Sequence, residues 1–285
     1  MAKNSTRYLI LALFIVAVFV LSLLLLKSCQ TTNQQPEASK PVSQQESNRP
    51  GVQENADQLL ADYLPRSKNK QIVAHSHYTL SYREEHEQAE WVAYELTRDE
   101  VKGVEARSDD FREDPKVETG SATLADYYRS GYDRGHLAPA GDMKFSETAM
   151  SESFYMSNIS PQKPEFNRGI WRELEEEVRE LAQENGNLYV VTGPVFFKRS
   201  RRIGDNRVSI PQAYYKILLD YKQPEIKAIA FLLPNEGSDG ELYQFIVPID
   251  KVEELTDIDF FPGLPDDEEA MLEQQVNANM WGVDY

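Results

Sequence analysis

The sequence predicts an α+β domain in which a central, mostly antiparallel sheet is flanked by helices. Short segments rich in aromatic and β-branched residues are typical of strands, and they recur along the chain. One longer segment carries apolar residues at helical spacing. These segments do not follow the regular alternation of strand and helix that marks a parallel sheet, so a layered α+β arrangement is favoured.

The first two predicted strands, residues 78–82 and 91–96, are separated by a charged stretch that is expected to form a turn. After a long interruption the pattern predicts further strands at residues 188–197, 213–221, 226–233 and 245–249.

The interruption contains the main predicted helix. Asn167 is a suitable N-cap for it, since asparagine side chains accept hydrogen bonds from free amides at helix starts. The apolar positions that follow recur at spacings of three and four, namely Ile170, Trp171, Leu174, Val178 and Leu181. The helix is expected to end near Asn185 and Gly186. A second helix is predicted at residues 268–279.

The N-terminal part of the chain has a different composition. Residues 8–26 are apolar apart from Tyr8 and Ser22, and roughly 20 such residues suffice to cross a bilayer as a helix. Lys3 and Arg7 precede this run, and positive charge tends to stay on the cytoplasmic side.

We therefore expect residues 1–28 to be a membrane anchor or signal segment, with the membrane contacted through residues 8–26. An uncleaved anchor is favoured, because the apolar region of a signal peptide is shorter, about 7 to 15 residues. The following domain would then face the periplasm or exterior of a bacterial cell. Cleavage, or lipid attachment at Cys29, the only cysteine, remains an alternative.

Residues 29–57 are rich in Gln, Asn, Ser, Pro and Glu and have almost no large apolar side chains. Such a segment cannot bury enough surface to fold, so it is expected to be a flexible linker. The folded domain is then predicted at residues 58–285. Its lack of cysteine excludes an intramolecular disulfide there.

The net charge of the chain is −17, which argues against nonspecific adhesion to a polyanion. One basic run stands out against this average, formed by Lys198, Arg199, Arg201, Arg202 and Arg207. A solvated loop explains such a run on its own. With a phosphate chemistry elsewhere in the chain it becomes a candidate contact surface for nucleic acid, and neutralising it should then weaken the salt dependence of cleavage.

His136 is the strongest candidate for a catalytic residue. It follows Asp133, Arg134 and Gly135, and the residues after it are not expected to be helical. A histidine on a rigid turn, with a nearby carboxylate to fix its tautomer, is a suitable general base for activating water. An ordinary structural histidine is the alternative.

Polar residues C-terminal to His136 complete the candidate site. Asn158 and Asn167 either pin the turn between them or supply an amide oxygen to a hard cation such as Mg²⁺. Glu175 and Arg179 lie four residues apart on one helix face, which suits a salt bridge. The functional alternative places Glu175 on water around the cation and Arg179 on a phosphate.

Several motifs in this order resemble the DNA/RNA non-specific endonucleases, which are ββα-metal nucleases. The resemblance covers roughly residues 78–262. The matching segments are Asp133-Arg134-Gly135-His136, Asn158-Ile159-Ser160-Pro161-Gln162, Asn167 with Trp171 and Leu174-Glu175, Tyr189-Val190-Val191-Thr192-Gly193-Pro194, Ile210-Pro211, Leu233-Pro234-Asn235 and Val247-Pro248-Ile249.

The resemblance implies the ββα-metal nuclease fold and hydrolysis of DNA and RNA to 5′-phosphate ends, with Mg²⁺, Mn²⁺ or another divalent cation as cofactor. Under it, His136 is the general base, Asn167 the single protein ligand to the metal and Glu175 the carboxylate that holds water around the cation. Asn158 orients the site. Arg134 and Arg179 contact or position the phosphate, and Arg107 is the counterpart of a further arginine.

Two rival functions remain at this stage. One is a catalytically inert binding protein of the same fold, which the intact set of polar residues counts against. The other is a phosphodiesterase that acts on small phosphodiesters, which requires the same chemistry. Assays on plasmid, RNA and small diesters, with and without a chelator, distinguish all three.

Overall fold

The computed structural model describes residues 63–68, 71–197, 199–222, 225–276 and 278–282. They belong to the unit of the chain that spans residues 54–285. The predicted anchor and linker, residues 1–28 and 29–57, lie outside the described residues. In the described part, no helix combines the length and the apolar character needed to cross a bilayer.

The strands of the domain form one large antiparallel sheet and two short ribbons. In chain order they are β1 (Ile72–Ala74), β2 (Thr79–Arg83), β3 (Gln88–Thr97), β4 (Asp133–His136), β5 (Ile159–Gln162), β6 (Asn187–Val195), β7 (Arg202–Ile203), β8 (Val208–Ser209), β9 (Ala213–Lys222), β10 (Glu225–Pro234) and β11 (Ile246–Val247). The sheet has seven strands in the order β1-β2-β3-β6-β9-β10-β11, and β4–β5 and β7–β8 are the ribbons.

The described α-helices are α1 (Leu124–Tyr127), α2 (Glu147–Glu152), α3 (Pro164–Asn167), α4 (Ile170–Asn185), α5 (Ile249–Thr256) and α6 (Asp266–Gln274). Short 3-10 helices occur at Glu100–Lys102, Met156–Asn158, Leu242–Phe245 and Ala278–Trp281.

Each face of the sheet has its own hydrophobic core, because successive side chains of a strand point to opposite faces. On β9, Tyr214 and Leu218 belong to the core that Trp171 and Leu174 of α4 cover. The other core takes alternate residues of the same strand and is covered by α5 and α6, through side chains such as Val252 and Leu272. The domain is therefore a three-layer structure with helices on both faces of the sheet.

The β4–β5 ribbon is fastened to the α4 side of the sheet by side chains of β3 and β9. The Ser160 hydroxyl donates to Oε1 of Gln88 over 2.5 Å and lies 2.7 Å from the Tyr214 hydroxyl. Gly135 is needed within the ribbon, since a Cβ atom there would lie 2.1 Å from the side chain of Gln162. With α3 and α4 following directly in the chain, the ribbon forms a ββα unit.

Most predicted elements are confirmed. The first five predicted strands correspond to β2, β3, β6, β9 and β10, and the main helix ends at Asn185 with Gly186 in a positive-φ conformation of 106°. The sixth predicted strand, residues 245–249, is shortened to β11, because Ile249 begins helix α5 instead. The closing helix lies earlier than residues 268–279: it begins at Asp266, directly after Pro265, and ends at Gln274.

Two local predictions are wrong. Asn167 does not cap the main helix; it ends the short helix α3, and Gly169 occupies the N-cap of α4. His136 does not lie on a turn, because Asp133–His136 is strand β4 and pairs antiparallel with β5. The sequence of residues 133–136 looks irregular on its own. These residues form a strand because they pair with β5, whose first residue, Ile159, lies 23 residues after His136 in the chain.

Candidate active site

The ring of His136 lies at the end of β4 and packs against two phenylalanines that also contact each other, Phe111 and Phe154. Its centroid is 4.9 Å from that of Phe154, which meets it edge-on, and 5.6 Å from that of Phe111. Only 8% of His136 is exposed, and its Nε2 atom is buried with no hydrogen-bond partner in the described part of the chain. The packing of the two rings therefore fixes the orientation of the imidazole.

Two guanidinium groups lie over the same aromatic rings. The Cζ atom of Arg134 is 4.2 Å from the centroid of Phe111, and that of Arg107 is 4.7 Å from the centroid of Phe154. Burial, assisted by the charges of Arg107 and Arg134, lowers the pKa of His136 to about 3. The imidazole is thus neutral at physiological pH, the state in which it can accept a proton.

A cleft of about 500 Å³ opens beside this histidine, and Arg107, Arg134 and Asn167 all line it. Its walls also include Phe111, Asp133 and Arg168, together with Asp109, Leu124, Tyr127, Tyr128, Arg129 and Tyr132. His136 is not among these lining residues, but its ring packs against Phe111, which is. The structure therefore brings three of the predicted site residues into one cleft and places the imidazole against its wall.

The carboxylate of Asp133 holds Asn167 and does not fix the tautomer of His136, contrary to the sequence-based expectation. It accepts a hydrogen bond from Nδ2 of Asn167 at 3.0 Å and two from Arg168 at 2.7 Å. Burial acts to raise the pKa of Asp133, but the bonds from Arg168 and Asn167 outweigh it and the pKa is lowered. Because the amide of Asn167 donates through nitrogen, its carbonyl oxygen is oriented away from Asp133 and is suited to bind a cation.

Asn158 pins the loop that follows His136. It is fully buried, its Oδ1 accepts from the backbone N–H of Ala138 at 2.9 Å, and its Nδ2 donates to the carbonyl of Ala138 at 2.9 Å and to that of Ser153 at 2.8 Å. These bonds satisfy both the carbonyl oxygen and the N–H groups of the side-chain amide. Its position fits the predicted orienting role rather than direct contact with a substrate.

Arg179 contacts a carboxylate that sequence reasoning did not identify. Its Nη1 atom donates to Oδ1 of Asp142 at 2.9 Å, and the hydroxyl of Tyr94 donates to Oδ2 of the same carboxylate at 2.7 Å. The predicted salt bridge between Glu175 and Arg179 is not among the ion pairs of the described residues; Asp142 takes its place. Arg179 thereby ties helix α4 to the loop after His136.

Lys216 is the second residue that sequence reasoning missed. It is fully buried on β9, its Nζ atom donates to Oγ1 of Thr192 at 2.6 Å, and it lies 5.1 Å from the ring centroid of Trp171. Burial lowers the pKa of Lys216, and the nearby charge of Glu175 opposes that shift. A lysine inside the apolar strand 213–221 is the signal in the sequence that points to it.

Glu175 lies in this group of charges and has no hydrogen-bond partner within the described residues. Burial raises the pKa of its carboxyl group, whereas the ammonium of Lys216 acts to lower it. The charges of Asp142, Arg179 and Arg107 also act on Glu175. We refer to Glu175, Asp142, Arg179 and Lys216 as the cleft-side charge cluster.

These donors fit a divalent cation of the Mg²⁺ type. Magnesium takes oxygen ligands, retains several waters and binds through only one or two protein groups. The carbonyl oxygen of Asn167 at the cleft is a suitable ligand of this kind, and the carboxylate of Glu175 has free lone pairs that are suited to hold water. The arginines Arg107 and Arg134 in the same region carry the charge that a phosphate requires.

The basic run lies elsewhere in the described structure. Arg199, Arg201, Arg202 and Arg207 are exposed, and Lys198 lies outside the described residues. None of the four lines the 500 Å³ cleft. Arg202 instead lines a smaller cavity of about 190 Å³ that also contains His86 and Phe196.

Comparison with known proteins identifies a family. A family model described as DNA/RNA non-specific endonuclease matches residues 55–267. Human mitochondrial endonuclease G is 35% identical over 209 residues, which cover 68% of this chain and 70% of the relative. Zebrafish mitochondrial nuclease EXOG is 38% identical over 207 residues, covering 67% of this chain and 60% of the relative. Nuclease C1 of Cunninghamella echinulata is 37% identical over 204 residues, or 66% and 81% of the two chains.

Solved structures agree with this. A crystal structure of the EndoG/EndoGI complex, described as showing the mechanism of EndoG inhibition, matches with a TM-score of 0.68 and 31% identity. The match covers 74% of this chain and 92% of that one. The predicted ββα-metal nuclease fold is thereby confirmed.

Proposed function

The chain belongs to the DNA/RNA non-specific endonuclease family, a family of metal-dependent nucleases, and from that premise we propose that it hydrolyses phosphodiester bonds of both DNA and RNA. The observation that supports this most directly is the cleft lined by Arg107, Arg134 and Asn167 beside a neutral, buried His136. It combines cations for a phosphate, an oxygen ligand for a metal and a proton acceptor.

We assign the role of general base to His136. The neutral imidazole takes a proton from a water molecule while the water oxygen forms a bond to phosphorus and the bond from phosphorus to the 3′ oxygen breaks. Because Nε2 is buried without a partner, Nδ1 is the nitrogen assigned to this transfer. The departing 3′ oxygen takes up a proton from solvent, so the products are a 5′-phosphate end and a 3′ hydroxyl end.

The arginines at the cleft bind the phosphate. Arg107 and Arg134 hold their guanidinium groups over Phe154 and Phe111, the two rings that pack against His136. Guanidinium groups recognise phosphate oxygens through paired N–H donors and read no base edges. This accounts for the absence of sequence preference and for the acceptance of both DNA and RNA.

Asn167 is the proposed protein ligand of Mg²⁺, for which Mn²⁺ or another divalent cation can substitute. When bound, the cation supplies positive charge that stabilises the transition state and the departing 3′ oxygen. Asp133 holds the amide of Asn167 in place, and Glu175 is the group assigned to hold water molecules around the cation. Asn158 and Arg179 position the loop after His136 through Ala138 and Asp142.

The N-terminal residues extend the proposal. We propose that residues 8–26 tether the protein to a membrane, residues 29–57 form the linker and residues 58–285 the nuclease domain, which acts outside the cytoplasm. The apolar run and the basic residues before it support this. Fractionation of cells that express the full chain tests the tether: recovery in the soluble fraction without detergent would overturn it.

The catalytic assignment is tested by comparing His136→Ala with Asn167→Ala on supercoiled DNA across a Mg²⁺ titration. His136→Ala should lose about 10²- to 10⁴-fold in rate at every metal concentration, because a general base is removed. Asn167→Ala should chiefly raise the Mg²⁺ concentration needed for half-maximal rate.

Matched controls are His77→Ala, whose ring packs on Phe145, and Asn187→Ala, whose amide donates to Glu95. Both should retain the parental rate and metal requirement. Running the same enzymes on RNA and on small phosphodiesters separates a nuclease from a small-molecule phosphodiesterase. A parental rate in His136→Ala would reject the general-base assignment.

A further inference from the structure

Three carboxylates from the last two α-helices come together on the face of the sheet opposite the cleft. They are Asp250 and Glu253 of α5 and Glu273 of α6, and one carboxylate oxygen from each lies within 4.8 Å of the others. Asp250 is exposed, Glu253 is half-buried and Glu273 is buried. We refer to these three as the α5–α6 acidic cluster.

Glu273 is the unusual member of the cluster. Only 8% of the residue is exposed, and its Oε1 atom is buried with no hydrogen-bond partner within the described residues. A buried carboxylate is normally paired with a cation or hydrogen-bonded, because removing it from water is unfavourable. The cluster therefore contains a buried oxygen that lacks the partner such atoms normally have.

The surroundings of the cluster do not neutralise it. No ion pair of the described residues involves Asp250, Glu253 or Glu273; in this region Arg66 pairs with Asp259 over 3.5 Å, and both side chains are well exposed. Asp259 and Glu269 add further negative charge close to Glu273. One oxygen of Glu253 accepts a bond from the backbone N–H of Phe260 at 2.8 Å, which leaves its other oxygen for a ligand.

We propose that the α5–α6 acidic cluster binds a divalent cation of the Ca²⁺ type, at a site separate from the nuclease cleft. Calcium takes oxygen ligands only, accepts carboxylates in irregular arrangements and completes its shell with water. Oxygens that bind one Ca²⁺ at about 2.4 Å are at most about 4.8 Å apart, and the three oxygens of the cluster meet this condition. Magnesium demands near-octahedral geometry and usually keeps several waters, so it is less suited than calcium to three carboxylates from two helices.

The site joins two helices that cover one face of the sheet. Val252 lies next to Glu253 and Leu272 next to Glu273 in the chain, and both apolar side chains belong to the core under α5 and α6. A cation that binds three groups of the folded state, and not those of the unfolded chain, stabilises the fold. The bound ion is therefore expected to have a structural role that does not depend on catalysis.

The test is thermal unfolding of the full chain against Ca²⁺, after removal of metal with a chelator and at constant ionic strength. An Asn167→Ala background removes the proposed metal ligand of the cleft, so that a Ca²⁺-dependent change in the unfolding temperature arises from the α5–α6 acidic cluster. At a Ca²⁺ concentration about 100 times the dissociation constant, the unfolding temperature should rise by about 5 °C or more.

Adding Glu273→Gln to this background should have two opposite effects. Without metal the unfolding temperature near pH 7 should rise, since glutamine keeps the shape and needs neither a buried charge nor the uptake of a proton on folding. The additional rise that Ca²⁺ causes in the Asn167→Ala background should disappear. Glu269→Gln removes the same charge one helical turn earlier but no proposed ligand, so it should retain the Ca²⁺ response. Asp250→Asn, an exposed change that cannot disturb packing, should raise the Ca²⁺ concentration needed by about tenfold or more.

The absence of any Ca²⁺-dependent shift in the Asn167→Ala background would overturn the proposal. So would an equal shift in the Glu273→Gln protein, because general screening of negative charge would then explain the effect. Neither result depends on nuclease activity, so a failure here leaves the proposed nuclease function unaffected.

Discussion

Both faces of the sheet carry buried or half-buried carboxylates, but the two groups are compensated in different ways. In the cleft-side charge cluster, Glu175 and Asp142 lie close to the ammonium of Lys216 and the guanidinium of Arg179. In the α5–α6 acidic cluster, the carboxylate of Glu273 faces other carboxylates. The first group carries its own counter-charges, whereas the second requires a proton or a cation from solution.

This difference gives the two clusters opposite responses to the loss of one carboxylate. Removing Glu175 should leave the positive charges of Lys216 and Arg179 without enough negative charge nearby to balance them. It should also remove the group that is proposed to hold water in the site. Replacing Glu273 by glutamine should remove the need for a proton or a cation at this position and leave the cleft unchanged. Loss of cleavage rate on removal of Glu175, and an unchanged rate on removal of Glu273, are therefore the two outcomes that test the comparison.

Among changes to the two clusters, the largest expected effect is on catalysis by Glu175→Gln. Groups that orient water and ligands around a metal typically contribute 10- to 100-fold, so we expect the rate of plasmid cleavage at saturating Mg²⁺ to fall by about that factor. Glu273→Gln, the same chemical change on the other face, should cleave at the parental rate. Equal rates in the two variants would remove the functional distinction between the clusters.

A smaller effect, about tenfold, is expected for Lys216→Met. The ammonium of Lys216 acts to lower the pKa of Glu175. Without it the pKa of Glu175 rises further, more of the carboxyl is protonated near pH 7, and the acidic limb of the pH–rate profile should move to higher pH. Cleavage rates measured from pH 5 to 9 show this directly.

Lys227→Met is the matched control for Lys216→Met. Lys227 is also buried on this face of the sheet, and its Nζ atom lies 4.8 Å from the ring centroid of Trp281. It donates to Asn185 and to the carbonyl of Met280, and not to a carboxylate. Loss of packing alone should affect both variants, but only Lys216→Met should shift the profile. A profile that shifts equally in both would reject the role of Lys216.

The strands and the main helix could be predicted because their signals are local. Alternation within residues 213–221 specifies which side chains of β9 face each core, and the spacing of Trp171, Leu174 and Val178 specifies the buried stripe of α4. The short helix α3 and the strand β4 could not be predicted in this way. Their form depends on partners distant in the chain, such as β5 for β4.

The site itself could be predicted only in part, for the same reason. His136, Asn167 and the arginines follow from a motif in one segment, whereas the partners of that segment do not. Asp142 is 37 residues from Arg179 in the chain, and Lys216 reaches the site because β9 pairs with β6 in a register that places it opposite Thr192. Tertiary pairing, which leaves no local pattern, supplies these contacts.

The smallest expected effect is a pH dependence of stability that arises from Glu273. Burial, reinforced by the neighbouring carboxylates, raises the pKa of Glu273 from 4.5 to about 8. Between these values the folded protein holds a proton that the unfolded chain has released, so the free energy of unfolding should decrease as pH rises from about 5 to 8. We expect a contribution on the order of 1 kcal/mol, because the exposed Asp250 can move away from Glu273.

Denaturant unfolding in the presence of a chelator, at intervals from pH 5 to 8.5, measures this slope. Glu273→Gln should flatten it, and Glu175→Gln should not flatten it to the same extent, because Lys216 moderates the shift at Glu175. Saturating Ca²⁺ should also flatten it in the parental protein, since a bound cation favours the deprotonated carboxylate and replaces the proton. A slope unchanged by both Glu273→Gln and Ca²⁺ would show that the α5–α6 acidic cluster is neutralised from within, like the cleft-side charge cluster.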